Sequence, residues 1–173
     1  MHTRSNFVIT GWGRSGTMFL ADLLNMSEKW NVIHEYPGDR VYNDAKGVAP
    51  RFDQDYYGEV NSYLRRILDD LPVKKKALIL RDPLDVWISV SNRKSQQMWD
   101  NILARMSFVY DNFFAEYADK YTVIDFEKMT TSTMWELMMS LKLRMICSKR
   151  RIKQRISDTN PHPISVQVFK KGL

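Results

Sequence analysis

The chain has a single cysteine, Cys147. One thiol excludes an intrachain disulfide and any zinc site built from clustered cysteines, and it leaves the redox compartment open. No apolar run approaches the roughly 20 residues that span a bilayer. The opening residues Met1-His2-Thr3-Arg4-Ser5-Asn6 hold no apolar signal region. A cytoplasmic location without a membrane span is therefore the expectation. Repeats, linkers and low-complexity stretches are also missing, so one domain over residues 1–173 is expected. Charge is only mildly one-sided, with 26 Lys and Arg against 20 Asp and Glu, a formal net charge of +6. That excess suits an anionic ligand. Its basic residues concentrate in 142–155, where a solvated helix face is expected rather than a nucleic-acid interface. The remaining composition, 44% hydrophobic and 27% charged, is that of a globular protein able to bury a substantial core.

What is present begins with Phe7-Val8-Ile9-Thr10-Gly11-Trp12-Gly13-Arg14-Ser15-Gly16-Thr17-Met18-Phe19-Leu20. It reads as a buried strand, a glycine-punctuated turn and the start of an apolar-faced helix. Turn amides and a helix N-terminus make a cradle for phosphate or sulfate. Gly11, Gly13 and Gly16 let the backbone approach an anion. The pattern nearly matches G-x-x-x-x-G-K-[ST], but Thr17 stands where the lysine belongs. The loop's cation is Arg14. Such a loop binds phosphate without performing ordinary ATP chemistry.

The rest of the chain alternates. Strands are expected at residues 6–10, 30–34, 76–81 and 121–126, and helices at 15–26, 56–71, 84–92, 97–120 and 130–156. Residues 36–55, rich in Gly, Pro and Asp, read as a long loop over the site. The late methionines read as core filler. Alternating strands and helices imply an α/β fold, a P-loop-type three-layer sandwich with a short central parallel sheet flanked by helices. Ligands of such sheets bind at the carboxyl ends of the strands. The phosphate loop, His34-Glu35, Arg81-Asp82-Pro83 and Phe126-Glu127 all follow strands, so they should converge on one edge.

Two segments carry a family resemblance: Gly11 to Leu20, and Leu80-Arg81-Asp82-Pro83-Leu84-Asp85-Val86-Trp87-Ile88-Ser89-Val90-Ser91-Asn92. Together they resemble the sulfotransferases that use 3′-phosphoadenosine 5′-phosphosulfate (PAPS), closest to carbohydrate and bacterial members. Tyr121-Thr122-Val123-Ile124-Asp125-Phe126-Glu127-Lys128-Met129 is similar to that family's later strand and turn, and the region after about residue 131 matches nothing firmly. The resemblance implies that Gly13, Arg14, Ser15, Gly16, Thr17 and Met18 hold the 5′-phosphosulfate. It implies that Arg81 and, eight residues later, Ser89 hold the 3′-phosphate. An arginine fork suits a dianion; the plain alternative pairs Arg81 with Asp82 or Asp85. Met18 departs from a common threonine. The tail Phe169-Lys170-Lys171-Gly172-Leu173 is faintly similar to a 3′-phosphate-binding segment, which would add Lys170 and Lys171.

The implied reaction moves a sulfuryl group from PAPS to a hydroxyl or amine, with no metal. It needs in-line positioning, charge stabilisation by Arg14 and the loop amides, and a base for the acceptor's proton. Glu35 is the first choice of base and His34 the second. Strand alternation sends the two to opposite faces, so one of them should reach the site. The plain alternative pairs Glu35 with an arginine such as Arg40. A P-loop nucleotide kinase is the rival enzyme; it needs the absent lysine and a strand-end aspartate for Mg²⁺. A non-catalytic 3′-phosphonucleotide-binding protein is the third class. The acceptor stays open among sugars, tyrosine peptides, lipids and small alcohols, with a short chain favouring a carbohydrate or another open-access substrate. No oligomeric state is legible.

Overall fold

The computed structural model of the chain describes residues 6–13, 15–26, 29–36, 45–82, 85–86, 88–89, 116–117, 119–140, 150, 153–154 and 156. β1 (Asn6–Gly11) is buried along its whole length. A strand covered on both faces reads as an unbroken apolar run rather than an alternation, and Phe7-Val8-Ile9 is that run. β2 (Asn31–His34), β3 (Tyr57–Val60), β4 (Lys75–Leu80) and β5 (Thr122–Asp125) complete a five-stranded sheet in the order β2-β3-β1-β4-β5. Every pairing is parallel, with Ile9 opposite Val60 on one side and Ala77 on the other.

Side-chain alternation divides the core in two. Phe7, Ile9, Val60, Ala77 and Ile79 face α1 (Thr17–Leu24) and α2 (Thr131–Ser140), which contribute Leu20, Leu23, Leu24, Met134, Leu137 and Met138. Val8, Tyr57 and Leu78 face the other way, toward Val48, Phe52, Leu64, Ile67 and Leu68 in and beside two 3₁₀ helices, Ala49–Asp53 and Ser62–Ile67. Two covered faces about a parallel sheet make the three-layer α/β sandwich that the alternation implied. Met134 and Met138 are core filler as expected, whereas Met139 is 61% exposed. At the end of α1 the Asn25 side-chain amide bonds both backbone groups of Val32. That pairing occupies part of the outer edge of β2, which would otherwise be open to another strand.

Two expectations need correction. The helix expected over residues 56–71 is a strand followed by a 3₁₀ helix. Leu64, Ile67, Leu68 and Leu71 do line one face, as the helical spacing implied, but Val60 lies on the opposite side of the sheet. β3 exists because tertiary neighbours complete it. Gly58 leaves room for the Phe7 ring, which a Cβ would meet at 2.2 Å. Glu59, fully buried, is met by Arg51 Nε at 3.0 Å, the Tyr57 hydroxyl at 2.6 Å and the Asn61 side-chain amide at 3.3 Å. The sheet therefore has five strands, and β3 rather than β2 lies next to β1.

Second, residues 45–53 do not hang over the strand ends as a loop. They fold onto the second face, where Val48 and Phe52 are buried and the Phe52 carbonyl accepts from the Asn6 amide at 2.6 Å. The helix expected over 130–156 is present where residues are described, over Thr131–Ser140 and at residues 150, 153, 154 and 156. Arg150 and Lys153 are exposed, in keeping with a solvated basic face. The long helix expected over 97–120 lies outside the described residues except at its end, where 116 and 117 are helical.

Candidate functional site

The chain leaves β1 on the α1 side of the sheet and leaves β3 on the 3₁₀ side. Neighbouring strands whose connections depart to opposite faces open a crevice at their carboxyl ends, the place where ligands of such sheets bind. The crevice between β1 and β3 is narrow and fixed: the Asn61 amide donates to the Ile9 carbonyl at 2.9 Å, and the Thr10 hydroxyl donates to the Asn61 carbonyl at 2.7 Å.

The glycine-punctuated turn sits over this crevice. Ser15 closes it, its amide and hydroxyl both donating to the Trp12 carbonyl at 3.1 and 2.6 Å. Ser15, expected to hold a ligand, is fully buried, and its hydroxyl turns into the loop. Gly16 caps α1 at φ 93°, in the left-handed region. A Cβ there would also lie 2.2 Å from the Phe126 ring, so its backbone angle and its neighbour both demand glycine. No side chain caps α1, and its first turn contains no acidic residue. Amides at such a terminus, with the positive end of the helix dipole, favour an anion. Met18 stands on this first turn, 58% exposed.

His34 and Glu35 end β2 and diverge as strand alternation requires. His34 turns to the α1 side, where its Nε2 is 3.1 Å from the Thr17 hydroxyl. Glu35 turns to the 3₁₀ side and accepts from the Ser62 hydroxyl at 2.5 Å. Ser62 in turn is the nearest neighbour beside Gly13, its Oγ 3.9 Å from where a Gly13 Cβ would stand. The two residues thus stand on either side of the glycine-punctuated turn, His34 at Thr17 and Glu35 at Ser62. Arg40, the plain alternative partner of Glu35, lies outside the described residues; Glu35 accepts from Ser62, with the Arg65 charge nearby. Its φ of 45° is left-handed, which costs a non-glycine residue roughly 1–3 kcal/mol and is retained where surrounding structure imposes it.

Arg65 lies on the same side. Its Nη1 donates to the Ser62 carbonyl at 2.5 Å and its guanidinium stacks 4.4 Å from the Trp12 ring centroid. Burial, then the neighbouring Arg66 charge, lowers its pKa, while Tyr63 and Glu35 oppose the shift. At the other flank, Arg81 follows β4 directly. It meets Glu127, with Nε 3.5 Å from Oε1. Its guanidinium stands 5.1 Å from the Phe126 ring centroid, and Phe126 packs over Gly16. Glu127 also accepts the Asp82 amide at 3.3 Å, and burial raises its pKa. Asp125, the strand-end aspartate, accepts the Glu127 and Lys128 amides and pairs with Lys128 at 2.7 Å, which lowers its pKa. It is occupied as a turn-former.

Ser89 is half-buried in the helical stretch that follows β4, where the Val86 amide bonds the Asp82 carbonyl. Arg14, Lys170 and Lys171 lie outside the described residues. Ser62 and Arg65 escaped the sequence reading, whereas Phe126-Glu127 was expected at this edge. For Ser62 and Arg65 a signal existed: Asn61 is a helix-capping residue type, and its side chain accepts from the Tyr63 amide at 3.0 Å. A helix starting at 62 would have left 57–60 for a strand. Among the described residues no cluster of three or more His, Cys, Asp or Glu could hold a metal ion, and no helix is long and apolar enough to cross a membrane.

No family model matches the chain, and no curated protein matches it. Among solved structures it is similar to a sugar kinase from Janibacter sp. HTCC2649 in its unliganded form. The likeness has a TM-score of 0.53 at 11% identity and covers 82% of this chain and 96% of that one. At that identity the likeness is one of fold.

Proposed function

We propose that the chain transfers a sulfuryl group from PAPS to a hydroxyl or amine of an acceptor, a sugar being the class favoured. The observation that carries this reading is the loop itself. An anion cradle with Thr17 in the lysine position is flanked by a carboxylate, Glu35, and by an arginine, Arg81, on the neighbouring strand end. Thr17, Met18 and the amides of the turn would hold the 5′ end of the donor, with Arg14 beside them. Arg81 and Ser89 would hold its 3′-phosphate, with Lys170 and Lys171 as further candidates. The acceptor oxygen or nitrogen attacks sulfur, the bond from sulfur to the bridging phosphate oxygen breaks, and Glu35 takes the acceptor's proton. His34, bonded to Thr17, is placed to orient that hydroxyl.

A second reading is phosphoryl transfer from a nucleoside triphosphate to a sugar, favoured by the fold likeness to a sugar kinase. Against it stand the missing lysine and the engagement of Asp125 with Lys128.

One experiment separates them. Labelled PAPS and labelled ATP with Mg²⁺ are offered with a mixture of glucose, galactose, glucosamine and N-acetylglucosamine plus a small-molecule cell extract. Transfer from PAPS that persists in EDTA is expected. Adenosine 3′,5′-bisphosphate should bind about ten- to a hundredfold tighter than AMP, and Arg81→Ala should erase most of that preference, the worth of a charge-assisted contact. Label moving only from ATP, and only with Mg²⁺, establishes the kinase reading instead. Tight bisphosphate binding with no transfer leaves a non-catalytic binder.

A further inference from the structure

Ser62 is fixed more firmly than a residue in a turn needs to be. It follows Asn61, whose backbone amide is tied to Ile9 and whose side chain is tied to Glu59 and to the Tyr63 amide. It is 3% exposed, so its hydroxyl points into the protein and not to solvent. That hydroxyl donates to Glu35 at 2.5 Å. Glu35 is itself drawn out of the strand by its left-handed backbone, while its amide stays on the Val60 carbonyl at 3.3 Å. So Glu35 is held twice, by the backbone of β3 at Val60 and by the side chain of Ser62 at the start of the 3₁₀ helix that follows. The second grip lies beside Gly13 in the anion-binding turn.

We propose that Ser62 is a positioning residue for the Glu35 carboxylate. It donates to Oε1 and so directs the second oxygen, Oε2, to the acceptor's proton. The inference rests on the sulfuryl-transfer reading. Ser62 touches neither donor nor acceptor; it acts through Glu35. The bond matters because a carboxylate on a left-handed residue at the end of an edge strand has several rotamers open to it. A base is effective only within hydrogen-bond reach of the proton it takes. Arg65, held on the Ser62 carbonyl, adds a positive charge to the same side. The buried network at Glu59 thereby serves the site, since it holds the segment that holds Ser62.

The test is a double-mutant cycle in single-turnover transfer from labelled PAPS to the sugar mixture and cell extract above. The variants are Ser62→Ala, Ser62→Thr, Glu35→Gln and Ser62→Ala with Glu35→Gln. Ser62→Ala should slow transfer about 10–100-fold, the scale of a misplaced reacting group. Its affinity for adenosine 3′,5′-bisphosphate should stay within about twofold of the parent, an effect under half a kcal/mol by the usual conversion. Ser62→Thr, which keeps the hydroxyl, should regain most of the rate. In the Glu35→Gln background the same Ser62→Ala change should cost less than about twofold, because a positioning residue has nothing left to position. An equal loss in both backgrounds, or a Ser62→Ala rate within twofold of the parent, overturns the inference and leaves the sulfuryl-transfer reading standing. A parent protein that transfers nothing from PAPS overturns both. If Ser62→Ala weakens bisphosphate binding as much as it slows transfer, Ser62 belongs to the anion cradle and the inference fails.

Discussion

The two faces of the sheet are covered by different means. On the first, α1 and α2 are regular helices, and the layer between them and the sheet is apolar throughout: Phe7, Ile9, Leu20, Leu23, Ile79, Met134, Met138. On the second, 3₁₀ helices and turns replace α-helices, and a buried carboxylate sits in the layer, Glu59 with Arg51, Tyr57 and Asn61 around it. The apolar face stabilises; each fully buried Leu or Met contributes roughly 1.5–3 kcal/mol relative to its exposed state. A buried ion pair does little for net stability, because desolvation offsets its attraction. What it adds is direction. Charge and hydrogen bonds hold Arg51, Asn61 and hence Ser62 in one arrangement, where 3₁₀ turns alone have poor hydrogen-bond geometry. Both grips on Glu35 come from the strand end on this second, polar side.

The largest effect separating the faces should come from Glu59→Ala. It removes the buried carboxylate that Arg51 and the Tyr57 hydroxyl meet and should cost about 3–5 kcal/mol in urea unfolding. The double variant Arg51→Met with Glu59→Leu should recover most of that stability while leaving transfer activity impaired. Recovery of stability and activity together would show that the network has no directing role.

Next comes Leu20→Ala on the first face, a fully buried side chain. A loss of about 2–4 kcal/mol is expected from transfer and cavity together. Affinity for adenosine 3′,5′-bisphosphate, measured well below the melting temperature, should be unchanged. A parallel loss of affinity would mean that the first face also sets the geometry of the loop.

The smallest effect belongs to the far edge of the sheet, where an ion pair is exposed rather than buried. Tyr121 donates its hydroxyl to Asp69, and Lys120 stands 3.3 Å from the same carboxylate. The Tyr121 bond, then Lys120, holds the Asp69 carboxyl below its ordinary value of 3.8. Burial, then the Asp69 bond, raises the Tyr121 hydroxyl above its ordinary value. A depressed carboxylate adds stability above its unfolded value and loses it as the pH falls through the folded one. A raised tyrosine adds stability below pH 10.0 and loses it in stronger alkali. Because the Asp69 side chain is 43% exposed, water screens the pair, and Tyr121→Phe should cost at most about 0.5–1 kcal/mol at neutral pH. Its unfolding curve should also be flatter than the parent's below pH 3.8. A loss as large as that of Glu59→Ala would break the distinction between buried and exposed charge.

Wherever local pattern and final environment coincide, the sequence by itself determined the outcome. Phe7-Val8-Ile9 had to be a central strand, because only a two-sided core accepts three consecutive apolar side chains in extended form. Gly16 before the apolar stripe of α1 marked the turn between β1 and α1, and the alternation of elements implied a parallel sheet. Tertiary structure decided what depends on distant partners. Residues 57–60 carry a glycine and a glutamate, poor strand formers alone. They become β3 only because the Phe7 ring fills the space above Gly58 and Arg51 compensates Glu59. The apolar period that continued through Leu64, Ile67 and Leu68 gave the segment a helical look, since a 3₁₀ turn and an α-helix place successive apolar groups at nearly the same spacing. With β3 hidden, Ser62 stayed hidden too, and so did the partner of Glu35. The same holds at the other flank: Arg81 read as a 3′-phosphate ligand, and its contact with Glu127 follows from the parallel pairing of β4 with β5, which brings the two together. Local sequence names the residues of a site, but which of them face one another is set by strand order, and strand order is a property of the packed sheet.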